Sequence, residues 1–458
     1  MRLPGLLGAP LPTPECATTG HTSVTYSVCA VVPVQSAPAF GRVQAIQPNK
    51  AMRVSRRMTA ALLVGLVAGN PFAAAHAVDD NRPAAKVIGA YFPGGAAARY
   101  PISRIPADKL THLFYAFATI DEGRCVSRNA NADTHFAAFA DIKRRHPGLR
   151  TLISIGGWNA GGFSDAASTA RSRKRFVASC MALFFDTHRG SFDGVDIDWE
   201  YPVYGGPPEI GARPQDRRNM TLLAREFRRQ LRALGRKRGQ SFLLTAALPA
   251  GRLQSTGPYD PARSFELVEL AEVLDFINLM TYDMGTSFSA VSSFNAPLNE
   301  VAEDPLAQPM RRWNNVAGAI DYYRQQGVPA HKLVLGVPFY GRGFRVSSAA
   351  NDGLYQPYTE TFSPGDWRDI RNSLLADPDW EQHWHPVAQS PWLFHRSERK
   401  FVSYENPQSI AIRAQLARDR GLLGLFMWEL AGDDERHDLL EAMTQAFESA
   451  GQSPQRNP

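Results

Sequence analysis

The chain has 458 residues, enough for roughly two to four ordinary domains or one large decorated barrel, and 44% hydrophobic, 10% aromatic and 21% charged residues exclude a fibrous or wholly disordered protein. The net charge of +6 is concentrated in residues 1–77, where Arg2, Arg42, Lys50, Arg53, Arg56 and Arg57 face only Glu15, so the rest of the chain is close to neutral. Nucleic acid is therefore not an expected partner, and a single apolar run near residue 60 excludes a multi-pass membrane protein.

Residues 1–51, rich in Pro, Thr and Ser, read as an upstream extension, with the product starting at Met52 or Met58. Arg53, Arg56 and Arg57 then precede an apolar stretch over 60–68, and Ala75-His76-Ala77 offers small residues at the positions a signal peptidase reads. Residues 52–77 are thus expected to be a bacterial secretory signal cleaved after Ala77, giving a secreted or periplasmic protein with no membrane attachment. Cys16 and Cys29 precede that cut. Cys125 and Cys180 follow it; export permits a disulfide between them, while the apolar helical run around Cys180 equally suits a small core residue.

From residue 86, runs rich in β-branched and aromatic residues alternate with helical stretches. The strands are expected at 87–92, 112–120, 151–156, 194–199, 242–248, 276–282, 333–339 and 422–428. Helical spacing appears at 173–187, through Phe176, Val177, Cys180, Met181 and Phe184, and at 217–234. The arginines from Arg225 to Arg238 share that second helix with the apolar stripe Leu223, Phe227, Leu231 and Leu234, which makes them a solvated face. Eight strand-helix alternations predict an α/β fold, a TIM (β/α)8 barrel. The seven strands within 78–342 and the eighth within 403–450 form the barrel. Residues 343–402, too long for a bare loop, form a compact insertion between the seventh and eighth strands, and 451–458 is a tail.

The chemistry concentrates in Phe192-Asp193-Gly194-Val195-Asp196-Ile197-Asp198-Trp199-Glu200. With a strand's period of two, Asp196, Asp198 and Glu200 share one face, and Val195, Ile197 and Trp199 share the other. In a barrel the apolar face meets the helices, so the carboxylates line the interior. Like charges that are hard to desolvate repel, and at least one should keep its proton at neutral pH. A protonated carboxyl is what a general acid needs, and glycoside hydrolysis is a common use of such a set. No metal-ligand motif accompanies it, so neither metal nor cofactor is expected.

The run resembles the DxxDxDxE signature of the family 18 glycoside hydrolases, the chitinase family. Supporting segments follow in order: Ser154-Ile155-Gly156-Gly157-Trp158, Met280-Thr281-Tyr282-Asp283, Pro338-Phe339-Tyr340-Gly341-Arg342 and Met427-Trp428-Glu429. The resemblance implies a TIM barrel whose insertion is a small α+β unit, and hydrolysis of β-1,4 bonds between N-acetylglucosamine units with retention, the substrate's 2-acetamido oxygen acting as nucleophile. It makes Glu200 the general acid and base, and Asp198 the group that polarises the acetamido. Asp196 would share a proton with Asp198, and Tyr282 would bond the acetamido carbonyl. Trp428 would be the floor under the reacting sugar, Asp283 a contact to it, and Met280, Trp158, Tyr201, Tyr91 and Arg342 further substrate-binding residues. Asp193, Ser154, Gly156 and Gly157 would give structural support.

Chitin or its oligomers would be the partner, and the enzyme a monomer. Tyr204, Trp313 and Trp392 are further candidate sugar platforms. Two departures put secondary contacts in doubt: Phe294 replaces a common His before Asn295-Ala296-Pro297-Leu298, and Trp367 and Asp369 stand where Tyr and Glu are usual. An endo-N-acetylglucosaminidase acting on glycoproteins and a non-catalytic chitin-binding lectin are the alternatives.

Overall fold

The computed structural model describes residues 86–448; the expected upstream extension and signal, Cys16, Cys29 and the tail at 451–458 lie outside the described residues. Eight parallel strands run Val87–Pro93, His112–Asp121, Arg150–Gly156, Gly194–Asp198, Leu243–Pro249, Phe276–Met280, Leu333–Pro338 and Gly424–Trp428. Each neighbours the next, and the first pairs with both the second and the eighth, which closes the barrel. Every strand lies within two residues of its expected bounds.

The strands form because both of their faces are buried. On the fourth, Val195, Ile197 and Trp199 meet the helical layer, where Trp199 stacks on Phe163 with centroids 5.2 Å apart. Asp196 and Asp198 take the alternate register and are likewise buried. The helix Ala170–Met181 carries Phe176, Val177, Cys180 and Met181 on its buried side and continues through a wider turn to Thr187. Asp216–Arg238 buries Leu223, Phe227 and Leu231 while Arg225, Arg229 and Arg232 stay outward. Among the described residues no helix is long and apolar enough to cross a membrane.

Cys125 and Cys180 are joined in a disulfide, which resolves the alternative left open by the sequence. Cys125 sits on a short strand, Arg124–Val126, folded back on the end of the second barrel strand, and Cys180 is on the facing helix.

The insertion is a five-stranded antiparallel sheet of Arg342–Val346, Tyr358–Phe362, Trp380–His385, Ser390–His395 and Lys400–Ser403, with a short helical segment over 367–374. It has a small core of its own, in which Phe344, Val346, Phe394 and Phe401 pack around Phe294 and Trp392. Phe294 is therefore a core residue, with ring contacts to Trp392 at 5.7 Å and His385 at 5.5 Å. Trp392 is buried against the same group, not offered to a ligand. Trp367 is buried as well, stacked on Tyr404. Asp369 closes the helical segment's first turn by accepting from the Asp366 N–H at 3.1 Å.

Candidate active site

The parallel strands all deliver their C-terminal ends to one face, and there a cavity of about 530 Å³ opens, lined by side chains from all eight strands' ends and from the insertion. Asp196 lies deepest. Its Oδ2 accepts from Tyr91 Oη at 2.9 Å and Ser154 Oγ at 2.7 Å, and its Oδ1 from Thr245 Oγ1 at 2.6 Å and Asn278 Nδ2 at 3.5 Å. Asn278 also donates to the Tyr91 hydroxyl at 2.9 Å. Burial pushes the Asp196 carboxyl up, and these donors pull it back.

Asp198, one pleat nearer the cavity, has no such support, and its Oδ1 is buried without a hydrogen-bond partner. Burial, and then the charges of Glu200 and Asp196, push its carboxyl well above the usual range. Glu200 stands just past the strand's end. Burial raises it to about 7; the Tyr201 hydroxyl opposes that shift and the charge of Asp283 adds to it. Tyr282 is held far above its ordinary value, first by burial, so its hydroxyl is a proton donor at any ordinary pH.

The floor and walls are aromatic. Trp428 is partly exposed, with Phe117 stacked 5.5 Å from it and Tyr91 at 5.6 Å. Trp158 meets Tyr201 edge-on at 6.1 Å and Phe288 at 6.0 Å. Met280 completes the wall beside Tyr282. Asp283 Oδ1 accepts from Tyr340 Oη at 2.7 Å and directly from Arg342 Nε at 2.9 Å, so both donors converge on one carboxylate oxygen.

Close approach explains the two glycines. A Cβ on Gly156, at φ +132°, would lie 1.8 Å from the Asp198 carbonyl oxygen, and one on Gly157, at φ +96°, would lie 2.9 Å from the Phe117 ring. Asp193 sits at the opposite end of the strand, where it pairs with Lys143 Nζ at 2.8 Å and accepts the Thr151 N–H at 3.0 Å. Its support is to the barrel's N-terminal rim.

The structure thus gathers Tyr91, Trp158, Asp198, Glu200, Tyr201, Met280, Tyr282, Asp283, Arg342 and Trp428 around one cavity, with Asp196 and Ser154 beneath it. It does not bring Tyr204 or Trp313 there: Tyr204 packs on Tyr259 at 4.9 Å and Trp313 on Tyr322 at 5.5 Å. Sequence reasoning missed Thr245, Asn278, Phe117, Gln254, Phe288 and Asp366, and quoted Tyr340 without giving it a role. Thr245 and Asn278 had a usable signal, each being a polar residue in the inward register of an otherwise apolar barrel strand.

A sequence model of the glycosyl hydrolases family 18 matches residues 88–433. Chitinase A1 of Niallia circulans is 33% identical over 405 residues, which cover 76% of this chain and 56% of that protein, so the match spans little more than half of the relative's length. Among solved structures, a family 18 N-acetylglucosaminidase from Paenibacillus barengoltzii superposes with a TM-score of 0.69 at 30% identity, covering 79% of this chain and 99% of that one. A class V chitinase from Nicotiana tobaccum in complex with NAG4 gives 0.67 at 26% identity, over 79% and 99%.

Proposed function

The chain belongs to the glycosyl hydrolases of family 18, and from that membership we propose that it is a chitinase, cleaving β-1,4 bonds between N-acetylglucosamine units with retention. The observation that carries this reading is the line of Asp196, Asp198 and Glu200, in which the outermost carboxyl titrates near 7 above an indole floor. Glu200, raised to about 7, keeps a substantial protonated fraction at neutral pH, and that form gives its proton to the glycosidic oxygen. Asp198, lacking a protein partner for Oδ1, takes the acetamido N–H and turns its carbonyl oxygen toward the anomeric carbon. The Tyr282 hydroxyl donates to that carbonyl, and Asp196, held by four neutral donors, keeps Asp198 in register. As the bond from the anomeric carbon to the leaving oxygen breaks, the acetamido carbonyl oxygen bonds to that carbon to give a cyclic intermediate. Glu200, left ionised, then takes a proton from a water that attacks the anomeric carbon from the vacated face and releases the acetamido oxygen.

The disulfide supports an exported protein, since such bonds persist in oxidising compartments. The test is product analysis on N-acetylglucosamine oligomers beside a high-mannose glycopeptide. The oligomers should be cut, their deacetylated counterparts should resist, and Glu200→Gln should lower turnover by roughly 10² to 10⁴ or more. Cleavage of the glycopeptide alone would overturn the substrate assignment.

A further inference from the structure

The two ends of the cleft are built differently. Beyond Glu200, where the leaving sugar departs, the wall ends in Phe288, whose ring is 39% exposed at the open rim. Beyond Trp428 three chain segments are joined at the rim. After the first barrel strand, Gly94–Ala98 makes one tight turn of glycine and alanine, so that Arg99 is the first long side chain on that rim. Its guanidinium donates from Nη1 to Asp366 Oδ2 at 2.8 Å and to the Ala431 carbonyl at 3.0 Å, and from Nη2 to Glu429. Three segments distant in sequence are thereby tied: the loop after the first strand, the insertion through Asp366, and the turn after the eighth strand. Asp366 itself lines the cavity.

Chain polarity says which end this is. The bond cleaved is at the anomeric carbon of the sugar over Trp428, on the side of Glu200, so the reducing part of the substrate lies toward Phe288. The part attached through the 4-oxygen lies toward Asp366. We propose that the Arg99–Asp366–Glu429 strap closes the non-reducing end of the cleft, so that the protein takes chain ends of an N-acetylglucosamine polymer and releases a short product of fixed length. This rests on the chitinase reading and adds to it the specificity-determining role of Arg99, a residue that fixes the wall without touching the reacting atoms. A guanidinium shared by two carboxylates suits the task, because its planar fork holds both at once where an ammonium would not.

Oligomers of three to six units, labelled at the reducing end, provide the experiment. The wild type should release one dominant unlabelled product whose length does not change with the length of the oligomer. In Arg99→Ala, and again in Asp366→Ala, which opens the same wall from the insertion side, the ratio of longer to dominant unlabelled product should rise roughly tenfold, the factor that about 1.4 kcal/mol of added subsite binding produces. Arg99→Lys should fall between. A product ratio is insensitive to how much folded enzyme each variant yields. An unchanged ratio in both alanine variants, or wild-type cuts spread along the hexamer, would overturn the strap while leaving the chitinase reading intact. Wild-type protein that cuts none of the oligomers would overturn both.

Discussion

At the scale of single residues, the proton on Glu200 sets the pH behaviour. Its folded value of about 7 lies above the ordinary 4.5, because burial disfavours the ionised form. A general acid works while protonated, so kcat/KM should fall about tenfold per pH unit above roughly 7, the limb belonging to the coupled Glu200 and Asp198 pair. The same shift bears on stability. The folded chain holds a proton that the unfolded one releases between about pH 4.5 and 7, so this contribution is full below that window and lost as pH rises through it. Glu200→Gln, neutral throughout, should therefore gain melting temperature relative to wild type as pH increases from 4.5 to 7; a pH-independent difference would contradict the assigned shift. Trp428 is only partly buried, and its face is open to the cavity between Phe117 and Tyr91. Trp428→Ala should lower turnover far more than it lowers the melting point, because the lost surface serves the distorted sugar more than the relaxed one. A fully buried aromatic would instead cost about 3–5 kcal/mol of stability. Calorimetry and single-turnover rates on the same preparation separate the two.

At the scale of elements, the disulfide fastens the short strand at 124–126 to the helix 170–181 across 55 residues. Closing a loop of that length restricts the unfolded chain by an amount worth about 4 kcal/mol in the chain-entropy account. Cys125→Ser should lose up to that much stability in denaturant titration while keeping the wild-type KM, since neither cysteine lines the cavity; a change in KM would contradict that. This pairing was not legible in the sequence, where an apolar helical setting explained Cys180 equally well. The eight strands were legible as short runs rich in β-branched and aromatic residues between helical stretches, and so was the carboxylate line, because a period of two sorts charge from hydrocarbon without reference to the rest of the fold. Asp366 was not. It reaches the cavity from a segment whose placement depends on how the insertion docks, which no local pattern encodes. Trp392 misled for the complementary reason: an aromatic suited to stacking on a sugar is equally suited to filling a small core, and only burial separates the two.

At the scale of the whole molecule, the barrel and the insertion are held as one body by a buried cation. Arg413 is fully buried; it pairs with Glu405 at 2.8 Å and donates to the carbonyls of Ser409 at 3.1 Å and Gln389 at 3.3 Å, to Ser390 Oγ at 3.2 Å and to the Ala296 carbonyl. It thus joins the helix Pro407–Asp419, the insertion sheet and the loop after the sixth strand. Removing one partner of a buried pair leaves the other uncompensated, so Arg413→Met should cost about 3–5 kcal/mol. The insertion should still unfold in the barrel's own transition, since Leu393, Val402 and Tyr404 belong to the barrel's core cluster. A separate low-temperature peak in calorimetry of the wild type would refute that. Barrel closure has a further consequence. Because Val87 pairs with Gly424 and Lys86 Nζ reaches the Phe447 carbonyl at 3.5 Å, the two ends of the described chain meet on the floor opposite the cleft. A partner fused directly at Lys86 or Glu448 therefore departs from the barrel's N-terminal rim, away from the cavity, and leaves the mouth of the cavity free.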